Sequence, residues 1–346
     1  MASLPIKFRL DVYDIFPIEN RKVHLGARQM GSKRFDYASV GFYTFDCLGW
    51  PFTAVPPGGG CYNIDELTIA VSGAAGTAVI AAAKMGLKTL AVGGVGEDMM
   101  GDWVLQRLMH FGVDTSSMQR RPGWKTSSSI VLTRADGSRP ALHMKGATGT
   151  FVVEPEDFAH VADAKVVHLG GVGLMDAMDG AANAQLMRHA KEKGCITTVD
   201  VFAGSKDDLP DVDAVLPYTD YFMPSIEEAR ALSGLEDLID CTKFFHDRGV
   251  ACCVFTLGGE GAYYSSVDGA RFRVPAFEID VKCTCGCGDA FDAGYAVAIC
   301  RGFDPETSVR FAQATSALNA SGLGSQAGVE SFEHTWNFMT STPTRS

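Results

Sequence analysis

Apolar residues along this chain fall into short runs separated by glycine- and proline-bearing turns, and the period of those runs changes from segment to segment. Residues 38–45 alternate into an apolar strand that closes on Asp46. Residues 51–69, with Gly58-Gly59-Gly60 at their centre, predict loops and short strands. Residues 72–77 open an Ala-rich helix that ends near Met85-Gly86, followed by a strand over 88–95 and a helix over 102–111. Two strands, 127–134 and 141–145, flank Ala135-Asp136-Gly137-Ser138, a hairpin signal. From residue 164 onward strands (165–169, 195–201, 221–224, 251–257) alternate with helices (178–193 and one from Ser225). A helix over 289–301 has Arg301 in its last turn and Gly302 where a C-terminal cap stands, and 305–320 reads as the last helix. This alternation predicts an α/β domain with a doubly wound, mainly parallel sheet covered on both faces.

With 346 residues and 46% apolar content, the chain buries a sizeable core. A net charge of −11 argues against nucleic acid or an anionic membrane as partner, because either needs a basic patch to displace counterions. The longest apolar stretch, 70–83, is interrupted by Ser72, Gly73 and Gly76 and falls short of a membrane span. Lys7, Arg9 and Asp11 leave no signal-peptide apolar region, so a cytoplasmic location is expected. Residues 1–36, carrying Arg21-Lys22 and the basic residues from Arg28 to Arg34, are expected to be an N-terminal extension ahead of one domain over 37–346. The ten cysteines do not form a disulfide framework; Cys195, Cys252, Cys253 and Cys300 lie in apolar runs as small buried residues. Cys283, Cys285 and Cys287 have a spacing that zinc sites use, but no His or further Cys pair lies nearby in sequence.

The stretch 282–291 carries the chemistry. Gly286 and Gly288 let the backbone turn sharply and aim N–H groups outward where an apolar helix begins, and such a nest binds anions. Asp289 beside it is either a helix N-cap or a base positioned to take a hydroxyl proton while the N–H groups hold phosphate charge. A cysteine such as Cys287 at a helix start is expected to be a reactive thiolate, unless burial raises its pKa. Asp46 is either a turn residue or a ligand for two hydroxyls. The small residues Ser72, Gly73 and Thr77 suit close approach of a ligand or plain helix packing. Ser225-Ile226-Glu227-Glu228 fits a capping box. The glycines of Thr256-Leu257-Gly258-Gly259-Glu260-Gly261 allow a nucleotide against the backbone or make an ordinary hairpin turn. No Walker motif and no protein-kinase motif set occurs, and Met99 takes the third glycine position that a dinucleotide fingerprint needs after Gly94 and Gly96.

Gly286-Cys287-Gly288-Asp289-Ala290-Phe291 resembles the C-terminal signature of the ribokinase-like (PfkB) carbohydrate kinases, usually Asp-Thr-Thr-Gly-Ala-Gly-Asp-Ala-Phe. The resemblance spans roughly residues 38–335 and implies a ribokinase-like fold with a small β-sheet lid from segments near 47–71 and 122–147. It implies ATP and Mg2+ as cofactors and a hydroxyl on a small sugar-like substrate as acceptor. Asp289 would be the base, with Gly286, Cys287 and Gly288 as the anion hole. Asp46, Ser72, Gly73, Thr77 and Arg139 would face the sugar, with His143 and Lys145 beside them. Ser225, Glu228, Thr256, Gly258, Gly261 and Gly324 would serve the nucleotide, Glu228 also acting on magnesium indirectly. Cys283 stands where the signature has its first Asp, so the potassium held near that Asp in many relatives is expected to have little effect here. Thr77 and Ser225 also depart from the family pattern. The exposed lid edges allow a homodimer. Alternatives are a nucleoside or vitamin kinase of the same fold, or an inactive sugar- or nucleotide-binding regulator.

Overall fold

A computed structural model of the chain describes residues 32–345 apart from 203. Most of the expected N-terminal extension therefore lies outside the described residues. The chain enters through β1 (Phe35–Gly41) and passes at once into β2 (Thr44–Trp50) and β3 (Glu66–Ser72). α1 (Ala74–Lys84), β4 (Thr89–Gly96), α2 (Met99–His110), β5 (Asp114–Arg121) and the hairpin of β6 (Ser128–Leu132) and β7 (Ala141–Met144) follow. After the short α3 (Phe158–Val161) come β8 (Ala164–Val172), α4 (Ala181–Glu192), β9 (Ile196–Val201), α5 (Leu209–Asp213) and β10 (Tyr221–Phe222). α6 (Ile226–Ser233), α7 (Leu238–His246), β11 (Cys252–Thr256), β12 (Ala262–Ser266) and β13 (Arg271–Val274) lead to α8 (Cys287–Cys300), α9 (Pro305–Ala320) and α10 (Phe332–Ser341).

Among the described residues the strands form two sheets. The larger has nine strands in the order β13-β12-β11-β10-β9-β8-β1-β4-β5, parallel except at β12 and β13. Its central strands are buried on both faces, which is why β4 and β8 read as near-continuous runs of small and apolar residues. One face packs under α4, α6 and α7 through residues such as Leu186, Phe222 and Phe245. The other packs under α1, α8, α9 and α10 through Ile80, Val297, Phe311 and Phe332. Each such side chain contributes about 1.5–3 kcal/mol by leaving water. α8 and α9 approach closely because Gly294 has no side chain: a Cβ there would come within 2.4 Å of Thr315 Oγ1.

The second sheet, β3-β2-β6-β7, is the expected lid. β2 pairs antiparallel with β3 and parallel with β6, and β6 pairs antiparallel with β7 as the hairpin signal implies. Register places Ala70, Asp46, Ser129 and His143 in one row on the inner face, and Ile69, Cys47, Ile130 and Leu142 in the next row on the outer face.

Three expectations need correction. The apolar run 38–45 is two strands in different sheets, split at 42–43, so Asp46 lies within lid strand β2 and not at the end of a main-sheet strand. The break falls where Gly41 takes φ 155° with its α-carbon so near β8 that a Cβ would meet Gly170 O at 2.1 Å. The helix expected over 289–301 begins at Cys287 and is capped by Gly286 at φ 71°, so Asp289 is its third residue and not its N-cap. Residues 305–320 are not the last helix, since α10 follows and adds an aromatic cluster of Phe332 and Trp336 against Phe303 and Phe311.

Candidate active site

α8 aims its N-terminus into the cleft between the two sheets. Gly286 occupies the left-handed region, and a Cβ on it would lie 2.9 Å from Ser325 Oγ and 3.0 Å from Thr77 Cγ2. Only glycine meets both demands. Gly288, in contrast, has nothing within 4 Å of where a Cβ would stand, so the backbone there borders free space, while the preceding Cys287 N–H donates to Thr284 O at 3.4 Å. No side chain caps this helix, and a helix start without a side-chain cap can receive an anion.

Asp289 is partly exposed on the cleft floor. Desolvation raises its pKa to about 6, against the lowering pull of the Arg139 guanidinium and of Thr77, while Asp46 pushes it up further. The two carboxylates expected to work together, Asp46 on the lid and Asp289 on α8, thus face each other closely enough to interact. Asp46 is buried and its Oδ1 accepts a hydrogen bond from Thr44 Oγ1 at 2.7 Å. Beside it His143 pairs with Ser129 Oγ at 3.0 Å, and burial lowers its pKa. Lys145 turns away to an ion pair with Asp176 at 2.6 Å.

The small residues divide by role. Gly73 caps α1 at φ 82°, where a Cβ would strike Phe42 O at 2.5 Å. Ser72 Oγ lies 2.7 Å from Ser325 Oγ, so its hydroxyl ties the lid to the loop after α9. Thr77 is fully buried, and its Oγ1 makes no full hydrogen bond although it sits beside the Asp289 carboxylate.

At the far end of the cleft Ser225 and Glu228 form the expected capping box, with Ser225 N and Oγ donating to Glu228 Oε2 at 2.9 and 2.7 Å. Thr256 ends β11 and bridges to Ser225. Gly258 takes φ 56° over open space, while Gly261 takes φ 101° with Val274 O pressed against it. Gly324 instead sits under the lid, where a Cβ would touch Thr68, Leu48 and Ala70.

Sequence reasoning missed two carboxylates. Asp200 ends β9 and is nearly buried; burial first, then Asp292, Glu228 and Asp289, hold its pKa well above an ordinary carboxylate. Its place near the carboxyl end of a parallel strand, where open α/β sheets put ligand-contacting residues, is the signal that points to it. Asp292, one turn after Asp289, is 1% exposed, and neither of its oxygens makes a hydrogen bond. His168 Nε2 approaches it to 3.9 Å, but burial holds that imidazole neutral, its pKa pushed down to about 3. Cys287 also departs from expectation: burial pushes its thiol up to about 11, so it is not the thiolate foreseen at the helix start.

Asp200 and Asp292 thus lie close enough to Asp289 and Glu228 for those carboxylates to add to the raising effect of burial. Among the described residues no three His, Cys, Asp or Glu side chains converge as a metal cage. No helix among these residues is long and apolar enough to cross a membrane.

A large, mainly parallel sheet flanked by helices, with a separate small β lid, defines a ribokinase-like fold, and comparison agrees. The chain belongs to the pfkB family carbohydrate kinases, whose pattern it matches over residues 61–331. It is 26% identical over 307 residues to a deoxyribokinase of Salmonella typhi, covering 86% of this chain and 96% of that protein. It is 30% identical over 263 residues to the 2-dehydro-3-deoxygluconokinase of Thermoproteus tenax, covering 72% and 78%. Arabidopsis thaliana ribokinase complexed with ribose and ATP superposes with a TM-score of 0.75 at 22% identity, over 88% of this chain and 98% of that one. A ribokinase II from E. coli in complex with ATP and Mg2+ gives 0.75 at 21%, over 88% and 99%.

Proposed function

We propose that this carbohydrate kinase transfers the γ-phosphoryl group of ATP to a hydroxyl of a small sugar or sugar acid. The observation that carries the reading is a partly desolvated carboxylate, Asp289, the third residue of a helix whose start has no side-chain cap and borders free space at Gly288. The acceptor hydroxyl lies between the lid and α8, oriented by Asp46 and by the Arg139 guanidinium. Asp289 removes its proton as the oxygen attacks phosphorus, and a pKa near 6 makes it both ionised and basic enough at neutral pH. The N–H groups at 286–288 hold the charge that develops on the phosphoryl oxygens. Thr256, Gly258 and Gly261 line the nucleotide. Bound magnesium would neutralise charge on the ATP phosphates. Glu228 and, beside it, Asp200 would be the carboxylates that help hold that ion.

The kinase unit runs over 37–346 in this reading, with 1–36 as an extension. Deoxyribose, ribose, fructose and 2-dehydro-3-deoxygluconate head the acceptor panel, because named relatives act on them. The test is ATP consumption against that panel and against nucleosides, with Asp289→Asn as control. Turnover with at least one sugar, lost in the variant, supports the reading; nucleotide binding without turnover on any acceptor makes the chain a regulator. The outer lid face, with Leu67, Ile69, Ile130 and Leu142 exposed and β3 and β7 as edge strands, further supports a second copy of the chain as partner, checked by sedimentation over a range of concentrations.

A further inference from the structure

After α10 the chain runs back to the end of β13. Phe277 and Thr344 form an antiparallel bridge; the Glu278 N–H donates to Pro343 O at 2.9 Å and the Arg345 N–H to Ala276 O at 2.8 Å. Residues 343–345 are therefore pinned as a short added edge on the stretch that leaves β13. The turn at 258–261 rests on that same stretch, since a Cβ on Gly261 would come within 2.8 Å of Ala276 N. The two meet at Gly259. A Cβ there would stand 2.8 Å from Arg345 Nη1 and 3.9 Å from its Cζ, so the guanidinium occupies the space that any other side chain at 259 would need.

Charge gives that placement a use. Ser225, Thr256, Gly258 and Gly261, which line the proposed nucleotide face, carry no charge, and Glu228 and Asp200 nearby are acidic. Beside the turn, Arg273 is engaged by Glu260 at 3.8 Å. Arg345 is exposed, and among the described residues its guanidinium makes neither an ion pair nor a hydrogen bond that would brace the turn. A guanidinium carries five N–H donors and no acceptor, keeps its charge at every working pH, and matches two phosphate oxygens at once.

We propose that Arg345 binds a phosphate of the nucleotide from the outer side of the turn at 258–261. The ligand class is a nucleoside di- or triphosphate. The phosphate concerned is one that stays with the nucleoside diphosphate, because the transferred group has to reach the start of α8 at the other end of the cleft. The inference rests on reading 256–261 as the nucleotide face. Since the contact exists before and after transfer, Arg345 is a binding residue: its loss weakens substrate and product nucleotide alike and leaves the chemical step alone.

The test is titration calorimetry of ADP and ATP on the full chain and on Arg345→Ala, Arg345→Lys and Gly259→Ser, with steady-state kinetics in parallel. Arg345→Ala is expected to raise both dissociation constants and the KM for ATP about tenfold, with kcat and the acceptor KM within about twofold. Arg345→Lys falls between, because the charge stays while the paired geometry goes. Gly259→Ser displaces the guanidinium and weakens ADP to a similar degree, and adding Arg345→Ala to it costs less than about a further twofold. The loss in Arg345→Ala shrinks as salt is raised from about 50 to about 500 mM, since screening removes the charge interaction. A loss that does not change with salt makes Arg345 a brace or a stacking partner of the base, and overturns the proposal. Unchanged ADP binding in Arg345→Ala overturns it as well and leaves the nucleotide face standing, whereas an unaltered chain that binds neither ADP nor ATP brings down that reading and the proposal together. Arg345→Lys and Gly259→Ser keep the test readable should Arg345→Ala not fold.

Discussion

Two glycine-bearing turns face the same cleft, and they are built on opposite principles. The turn at 286–288 is crowded from behind: Ser325, Thr77 and Asn319 press on it, Gly286 and Cys287 are half-buried, and the Asp289 carboxylate follows directly. The turn at 258–261 belongs to an antiparallel hairpin, and Gly258 and Gly259 are exposed, with nothing near the Cβ position of the first. Where charge must be held in place through a reaction, preorganised donors need packing behind them, because any freedom left in the donors is lost catalysis. Where a flat nucleotide has only to lie against the chain, an open backbone is enough.

The comparison breaks first at Asp289. Asp289→Asn is expected to lower kcat by about 10²–10⁴-fold with ATP affinity nearly intact, because shape and donors stay while the base is lost; a variant retaining more than about a tenth of kcat removes Asp289 from that role. Next come the glycines themselves. Gly286→Ala is expected to cost about 1–3 kcal/mol of stability and at least about tenfold in kcat, since it meets both a left-handed φ and occupied space. Gly258→Ala meets only the φ penalty, about 1 kcal/mol, and a few-fold rise in the KM for ATP. Denaturant titration and kinetics of the pair test the contrast, and equal losses in both would end it.

Asp46→Ala is expected to raise the acceptor KM by about tenfold and leave the KM for ATP unchanged, since the residue's lost hydrogen bonds belong to the lid side alone; parallel changes in both constants return Asp46 to a structural role. The pKa of Asp289 near 6 gives two linked expectations. A base must be ionised, so kcat/KM falls about tenfold per pH unit below that value. A carboxylate whose folded pKa lies above its unfolded value makes folding less favourable as pH rises from about 4 through about 6. Its replacement by Asn therefore stabilises the protein at neutral pH, by about 1–2 kcal/mol after allowance for partial exposure. A melting temperature for Asp289→Asn equal to or below the unaltered protein's contradicts this. The smallest effect concerns potassium. Cys283 lies in an apolar pocket with its sulfur already occupied by donors, so exchanging a bulky organic cation for potassium is expected to change kcat less than about twofold.

Much of this architecture was legible because the period of the apolar pattern is a local property. The alternation after residue 164, the 305–320 helix, the hairpin around Gly137 and the capping box at Ser225 all appear where the residues predicted them. What escaped depended on tertiary placement. An uninterrupted apolar run concealed the jump from β1 to β2, since the break is forced by Gly170 of a strand 129 residues further on. β5, a polar edge strand, carries no apolar alternation to detect. The third position of Asp289 in its helix follows from the left-handed Gly286, a conformation that sequence permits without requiring. The place of Cys287 at a helix start is visible in sequence, while the burial that raises its thiol comes from tertiary packing.

The split at 42–43 also bears on how such a protein changes over generations. Under the proposed function, acceptor recognition by Asp46 and its row rides on lid strands whose pairing partners are other lid strands, whereas the phosphoryl machinery is seated on α8 and the large sheet. Substitutions along the inner face of β2, β3, β6 and β7 can therefore be sampled without disturbing the framework that holds Asp289. The lid is in effect an interchangeable module, and new acceptors can be gained by drift in the inward-facing residues of four short strands while the chemistry is inherited unchanged.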